Sequence, residues 1–159
     1  MRHAQRQDLD YLTEAFIAIG LHMKKSASDP YIDNLPVAAN ATERELALQF
    51  IARQDAIALV EEADARPVAC LLGNLAESSF PPSNLGKVGH IVVCWVEANY
   101  RRRGIAQKLV ETAERWFHEH GATLVELSYM ANNTDAQASW QRLGYQPYRV
   151  FAYKKISDR

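Results

Sequence analysis

A run of almost continuously apolar residues, Val88–Val96, passes through a short polar loop into an amphipathic stretch, Gly104–His120. No other part of the chain narrows the choice of fold as far. An apolar run of this length, bounded by turn-forming residues, suits a strand buried on both faces of a sheet. After it, Ile105, Leu109, Ala113, Trp116 and Phe117 recur at helical spacing, with Ala106 and Val110 beside the stripe. Gly121 stands where a helix-ending glycine belongs. The segment predicts a buried strand, a tight turn and a helix that packs back on the sheet.

Other elements flank this one. Met1–His3 reads as the end of a short first strand. Asp8 is placed to cap a helix on which Leu9, Leu12, Phe16 and Ile19 share a face, running to about Met23. Lys24–Asn40 holds Ser, Asp, Asn and two prolines and reads as a long loop. Thr42-Glu-Arg-Glu45 has the form of a capping box and predicts a helix burying Leu46, Phe50 and Ile51. Ala56–Val60 and Pro67–Leu75 read as strands joined by the charged turn Glu61–Arg66, and Ala76–Lys87 as a connection. Thr123–Met130 reads as the next strand. Asn133 or Thr134 then caps a helix burying Ala136, Trp140 and Leu143, with Gly144 ending it, and Tyr145–Lys155 reads as one or two strands. The order is that of a mixed α/β sheet with helices on its faces, in one domain over 1–159.

Composition excludes more than it selects. Hydrophobic residues are 48% of the chain, enough for an apolar core without disulfides or metals. Lys and Arg total 18 against 19 Asp and Glu, a net charge of −1. Such a balance exerts no general pull toward nucleic acid or anionic membrane, so any anion site must be local. Cys70 and Cys94 lie in apolar runs and read as reduced core cysteines. No Cys/His group has metal-ligand spacing. With no apolar leader and no run of membrane-spanning length, a soluble cytoplasmic protein is expected.

The turn between the buried strand and its helix carries chemistry. The first turn of a helix has free backbone N–H groups and a partial positive charge, and both favour a phosphate. Gly104 and Ala106 are small enough to let one approach the main chain, and Arg101, Arg102 and Arg103 add charge at the same point. A run of arginines is commonly only a solvated face. This one lies at the carboxyl end of a strand, where α/β sheets hold their ligands. The pattern is neither a Walker loop nor a dinucleotide fingerprint.

Arg101-Arg-Arg-Gly-Ile-Ala106 resembles the Arg/Gln-x-x-Gly-x-Gly/Ala signature of the GNAT superfamily of N-acetyltransferases. Tyr100, Lys108-Leu-Val110, Asn133-Thr-Asp-Ala136 and Leu143-Gly-Tyr145 are similar to the same family's flanking and C-terminal segments. The resemblance covers about Val88–Tyr148. It implies a mixed, mainly antiparallel sheet of six to seven strands with helices on both faces, splayed between the fourth and fifth strands.

The resemblance also implies roles. Acetyl-CoA would be the cosubstrate, with its pyrophosphate on the amides of the loop from Arg101 and Arg102 through Arg103, Gly104, Ile105, Ala106 and Gln107. Its pantetheine arm would pair with the strand end at Cys94, Trp95 and Val96, and with Asn133, whose alternative role is a helix cap. The acceptor amine must lose a proton before attack. Where many relatives have a glutamate for this, six residues before Val96, this chain has His90. Histidine can accept a proton at neutral pH, though His90 also fits a merely local hydrogen bond. Glu97 is the weaker candidate. The Cys94 backbone N–H would face the developing oxyanion. Trp140 departs from the pattern, because many relatives have there a tyrosine thought to protonate the leaving thiolate. An indole N–H cannot do so, which leaves Tyr145 as candidate acid, with Tyr148, Ser139 or an unassisted thiolate as alternatives.

The acceptor, a small-molecule or peptide amine, would meet the variable loops, which hold Asp29, Tyr31, Asp33, Glu77 and Phe80. A non-catalytic acyl-CoA sensor and a transferase of longer acyl groups are the competing readings. The resemblance is also compatible with a homodimer formed through the C-terminal strands, with Phe151 and Tyr153 as contacts or as core. No nucleic acid, membrane or metal partner is expected.

Overall fold

Asp64 and Ala65 both take left-handed backbone angles, φ 50° and 58°. Two such residues in succession make the hairpin loop whose twist matches its strands. They join β2 (Ala56–Ala63) to β3 (Arg66–Glu77), which pairs antiparallel with β4 (Lys87–Val96). β1 (Arg2–His3) adds antiparallel to β2, and β5 (Val125–Leu127) adds parallel to β4. The sheet order is β1-β2-β3-β4-β5. This computed structural model describes residues 1–26, 30–34, 40–77, 84–154 and 156.

Five strands stand among the described residues where six to seven were expected. The predicted strand Thr123–Met130 shortens to Val125–Leu127, and 146–154 form no ladder. Val150 and Phe151 are exposed there. Aromatic and branched residues favour strands only when cross-strand and same-face neighbours pack against them, and 146–154 have no paired strand among the described residues.

The helices are α1 (Leu9–Ser26), α2 (Pro30–Asp33), α3 (Asn40–Ala52), α4 (Ile105–Glu119) and α5 (Thr134–Arg142). Three boundaries differ from those expected. The segment 24–40 is not one loop, since it carries the end of α1 and the short α2. Thr42 lies inside α3, so its capping-box pattern marks no helix start, and Ala47 is buried in place of the exposed Leu46. Asp8 precedes α1 in a 3-10 turn, Arg6–Asp8. Its carboxylate accepts the Gln5 N–H at 2.7 Å and both Arg2 guanidinium nitrogens at 2.7 and 2.8 Å. Arg2 also reaches Glu62 at 2.7 Å, so one side chain ties the N-terminus, the helix entry and β2 together.

Two cores sandwich the sheet. On one face Leu9, Leu12 and Ala15 of α1 and Ala47 and Phe50 of α3 cover Ala58, Val60, Cys70, Leu72 and Val93. Against the other lies α4, whose Phe117 is fully buried over Gly73 and Gly89. No helix among the described residues is long and apolar enough to cross a membrane.

Contacts divide the chain into Met1–Ser128, which holds the sheet and α1–α4, and Tyr129–Arg159, which holds α5. In the second unit Asn133 caps α5, its side chain accepting the Ala136 N–H at 3.0 Å. The Trp140 ring meets Tyr145 edge-on at 5.3 Å, and Gly144 ends the helix at φ 92°. Ala136, Trp140 and Leu143 are half-buried and form no closed core.

Candidate functional site

β4 changes partners along its length. Gly89, His90 and Ile91 pair with Val125, Glu126 and Leu127, and there the ladder with β5 stops while β4 continues to Val96. On the other side the pairing with β3 skips a residue: Leu72 faces Val93 and Gly73 faces Ile91, so Val92 is an inserted bulge residue. Bulges of this kind bend a strand and re-aim the residues beyond them. The bulge and the parting of the strands fall at the same point.

Glu97 N–H donates to Val68 O across β3 and β4 at 2.9 Å. In an antiparallel ladder bonded pairs alternate, so Trp95 and Val93 also face β3, while Cys94 and Val96 turn their amides outward to the open edge. The Val96 carbonyl lies outward as this requires, since it accepts Arg101 Nε at 2.9 Å. The open edge thus offers the main chain of Cys94 and the N–H of Val96. Desolvation raises the Cys94 thiol to about 12, so at neutral pH it is protonated and no nucleophile. Cys70, fully buried, is raised by the same cause. Both cysteines are free.

Beyond β4 the chain makes a 3-10 turn, Ala98–Tyr100, and enters α4 through Gly104 at φ 78°. A β-carbon on Gly104 would meet nothing within 4 Å among the described residues, so that point at the front of the helix is open. The amides of Gly104, Ile105, Ala106 and Gln107 come first in the helix and have no intrahelical acceptor. No acidic residue occupies the first turn. Arg102 is exposed at φ 60°, and the Arg103 guanidinium lies 5.2 Å from the centre of the Tyr100 ring. The site is a cradle of donors with positive charge beside it, suited to a diphosphate.

His90 stands in β4 one residue before the parting. Gly89 faces Phe117 of α4, so His90 faces the opposite side of the sheet, half-buried, with Asn74 and Glu126 as its cross-strand neighbours. Glu97, the weaker candidate base, accepts the Trp95 indole N–H at 3.1 Å. Sequence reasoning missed the Val92 bulge and the engagement of Arg101 with Val96, neither of which has a local sequence signal. Of the acceptor-side residues, Asp33 and Glu77 are exposed, whereas Asp29 and Phe80 lie outside the described residues, as does the side chain of Tyr31.

A profile of the acetyltransferase (GNAT) family matches residues 23–145, more than half of the chain. The protein belongs to the GNAT family. Among solved GNAT structures, the aminoglycoside 6'-N-acetyltransferase AAC(6')-IG of Acinetobacter haemolyticus superposes with a TM-score of 0.74. It is 22% identical, and the match covers 99% of this chain and 98% of that one. AAC(6')-Iy in complex with the bisubstrate analog CoA-S-monomethyl-acetylneamine gives 0.75 at 16% identity, over 98% and 97% of the chains. At these identities the likeness shows the fold. The probable N-acetyltransferase HLS1 of Arabidopsis thaliana is 37% identical over 68 residues, 40% of this chain and 16% of that protein. The chain thus corresponds to a minor part of that relative's length.

Proposed function

We propose that this GNAT protein is an N-acetyltransferase that moves an acetyl group from acetyl-CoA to a primary amine within a ternary complex. The observation that carries the reading is the open helix front at Gly104–Gln107, set just past a strand edge that β5 has left free. A diphosphate would sit on those amides. The arm behind it would pair with the outward main chain of Cys94. The thioester, when bound, supplies an activated acetyl group with a thiol as leaving group.

The chain's own contribution is placement and proton handling. The Cys94 N–H is a fixed donor for charge developing on the carbonyl oxygen, and such donors are worth several kcal/mol, on the order of 3 each. His90 accepts the amine's proton, directly or through water, because only the neutral amine has a lone pair to attack. The complex of AAC(6')-Iy with a bisubstrate analog, CoA-S-monomethyl-acetylneamine, supports a small-molecule amine as acceptor.

Titrating the protein with acetyl-CoA, then screening amines for thiol release, tests this reading. Micromolar binding with release on at least one amine is the expected result. Binding without release on any amine would leave a coenzyme A sensor, and absence of binding would remove the reading altogether.

A further inference from the structure

The three adjacent arginines are not equivalent. Arg101 wraps back around the edge of β4, its Nε–H donating to Val96 O at 2.9 Å and its guanidinium carbon lying 5.1 Å from the centre of the Trp95 ring. Trp95 is itself held, packed against the core under α1 and α3 and donating its indole N–H to Glu97 at 3.1 Å. Glu97 in turn is anchored through its own N–H to Val68 of β3 and receives the Tyr100 N–H at its carbonyl, both at 2.9 Å. Arg102 makes no such return, and Arg103 leans on Tyr100 inside the loop.

Resting on the reading of the loop as a diphosphate site, the geometry points to Arg101 as a positioning residue: it latches the loop to Trp95 and Val96, while the ligand's charge is met by the helix front with Arg102 and Arg103. Two features of this chain, the Trp95 ring and the Val96 carbonyl, suit a guanidinium. A planar group can lie on an indole face while its Nε–H bonds a carbonyl at the ring's edge, and an ammonium on a flexible stem cannot do both. The latch also closes one end of the free edge. With Val96 O occupied, the outward groups left for a ligand's arm are the Val96 N–H and the main chain of Cys94, so the latch sets where the arm can find an acceptor relative to the phosphates.

The test measures coenzyme A dissociation constants by calorimetry at several salt concentrations for the wild type, Arg101→Gln, Arg101→Lys, Arg102→Gln and Trp95→Leu, with a thermal melt of each. A latch predicts that Arg101→Gln and Arg101→Lys weaken binding alike, by roughly tenfold, the order of a lost charged hydrogen bond plus a ring contact. The salt dependence of binding stays at the wild-type slope in both, because no phosphate contact has been removed. Arg102→Gln flattens that slope, since a direct cation–phosphate contact is screened by salt. Trp95→Leu keeps all three arginines and weakens binding as Arg101→Gln does. Full rescue by Arg101→Lys, a flattened slope in Arg101→Gln, or unchanged affinity in Trp95→Leu would each overturn the latch while leaving the diphosphate site in place. A wild type that fails to bind coenzyme A would instead overturn the site itself.

Discussion

Phe117 of α4 stands so close over Gly89 of β4 that a β-carbon at position 89 would lie 2.5 Å from its ring. Gly73 on β3 meets the same ring, at 2.8 Å. The two glycines form a seat in the sheet that lets α4 approach closely, and the front of that helix is the candidate phosphate cradle. Overpacking such a seat forces the helix away or the ring off its rotamer. Gly89→Ala is expected to lower stability by about 2 kcal/mol in urea denaturation. Adding Phe117→Leu to Gly89→Ala should cost less than the sum of the two single changes, because the shared clash is relieved. Simple additivity would show that the seat is not what orders α4.

Gly104 serves in two capacities that one pair of variants separates. Its φ of 78° favours glycine, so Gly104→Ala should cost about 1 kcal/mol through backbone strain alone. Gly104→Glu adds bulk and negative charge to an open site and is expected to abolish acetyl-CoA binding with a similar change in stability. Retained affinity in Gly104→Glu, read by calorimetry, would move the diphosphate elsewhere.

His90 is expected to govern the pH dependence of turnover. Replacing it by alanine should lower kcat by roughly a hundredfold, the usual scale for a lost general base. The limb of the pH–rate profile that falls on acidification should disappear with it, since a histidine must be neutral to accept a proton. A variant with an unaltered profile would show that another group, or water alone, takes the proton.

At the other end of the sheet, Asp8 should make the fold acid-sensitive. Its hydrogen bonds with Arg2, and then that from the Gln5 amide, hold its carboxyl below the ordinary 3.8 despite burial. A group whose folded pKa is depressed contributes stability that is present above the unfolded value and lost as pH falls through the folded one. Asp8→Asn is therefore expected to lower stability at pH 7 by about 2 kcal/mol, the scale of charged hydrogen bonds at a buried partner. The difference between wild type and variant should shrink as pH is taken below 3.8. A gap that stays constant into acid would show that Asp8 acts by shape and not by charge.

The elements with long, one-sided patterns were legible from residues alone. Val88–Val96 and Gly104–His120 became β4 and α4 almost to the residue, and Gly121 takes the left-handed φ of 89° that its place implied. The loop motif was equally readable, because a helix front with small residues is a local property of the chain. Short and polar segments were not. Thr42 has the right neighbours for a capping box yet sits inside α3, which begins at Asn40, because a short capping pattern is compatible with more than one helix start. The tail 146–154 has the residues of a strand without its ladder.

What the amino-acid order determined by itself was the alternation of elements and the meeting of arginines and small residues at the turn 101–106, both functions of residues near one another in the chain. Only the tertiary structure decided where β4 bulges, that β5 leaves it at Ile91, and which way the amides of Cys94 and Val96 face. It also decided that Arg101 is spent on Trp95 and Val96 instead of standing free with its neighbours. The strand features depend on register between separate strands, which is set by the packing of both sheet faces at once, and the Arg101 contact depends on the path the loop takes back along β4.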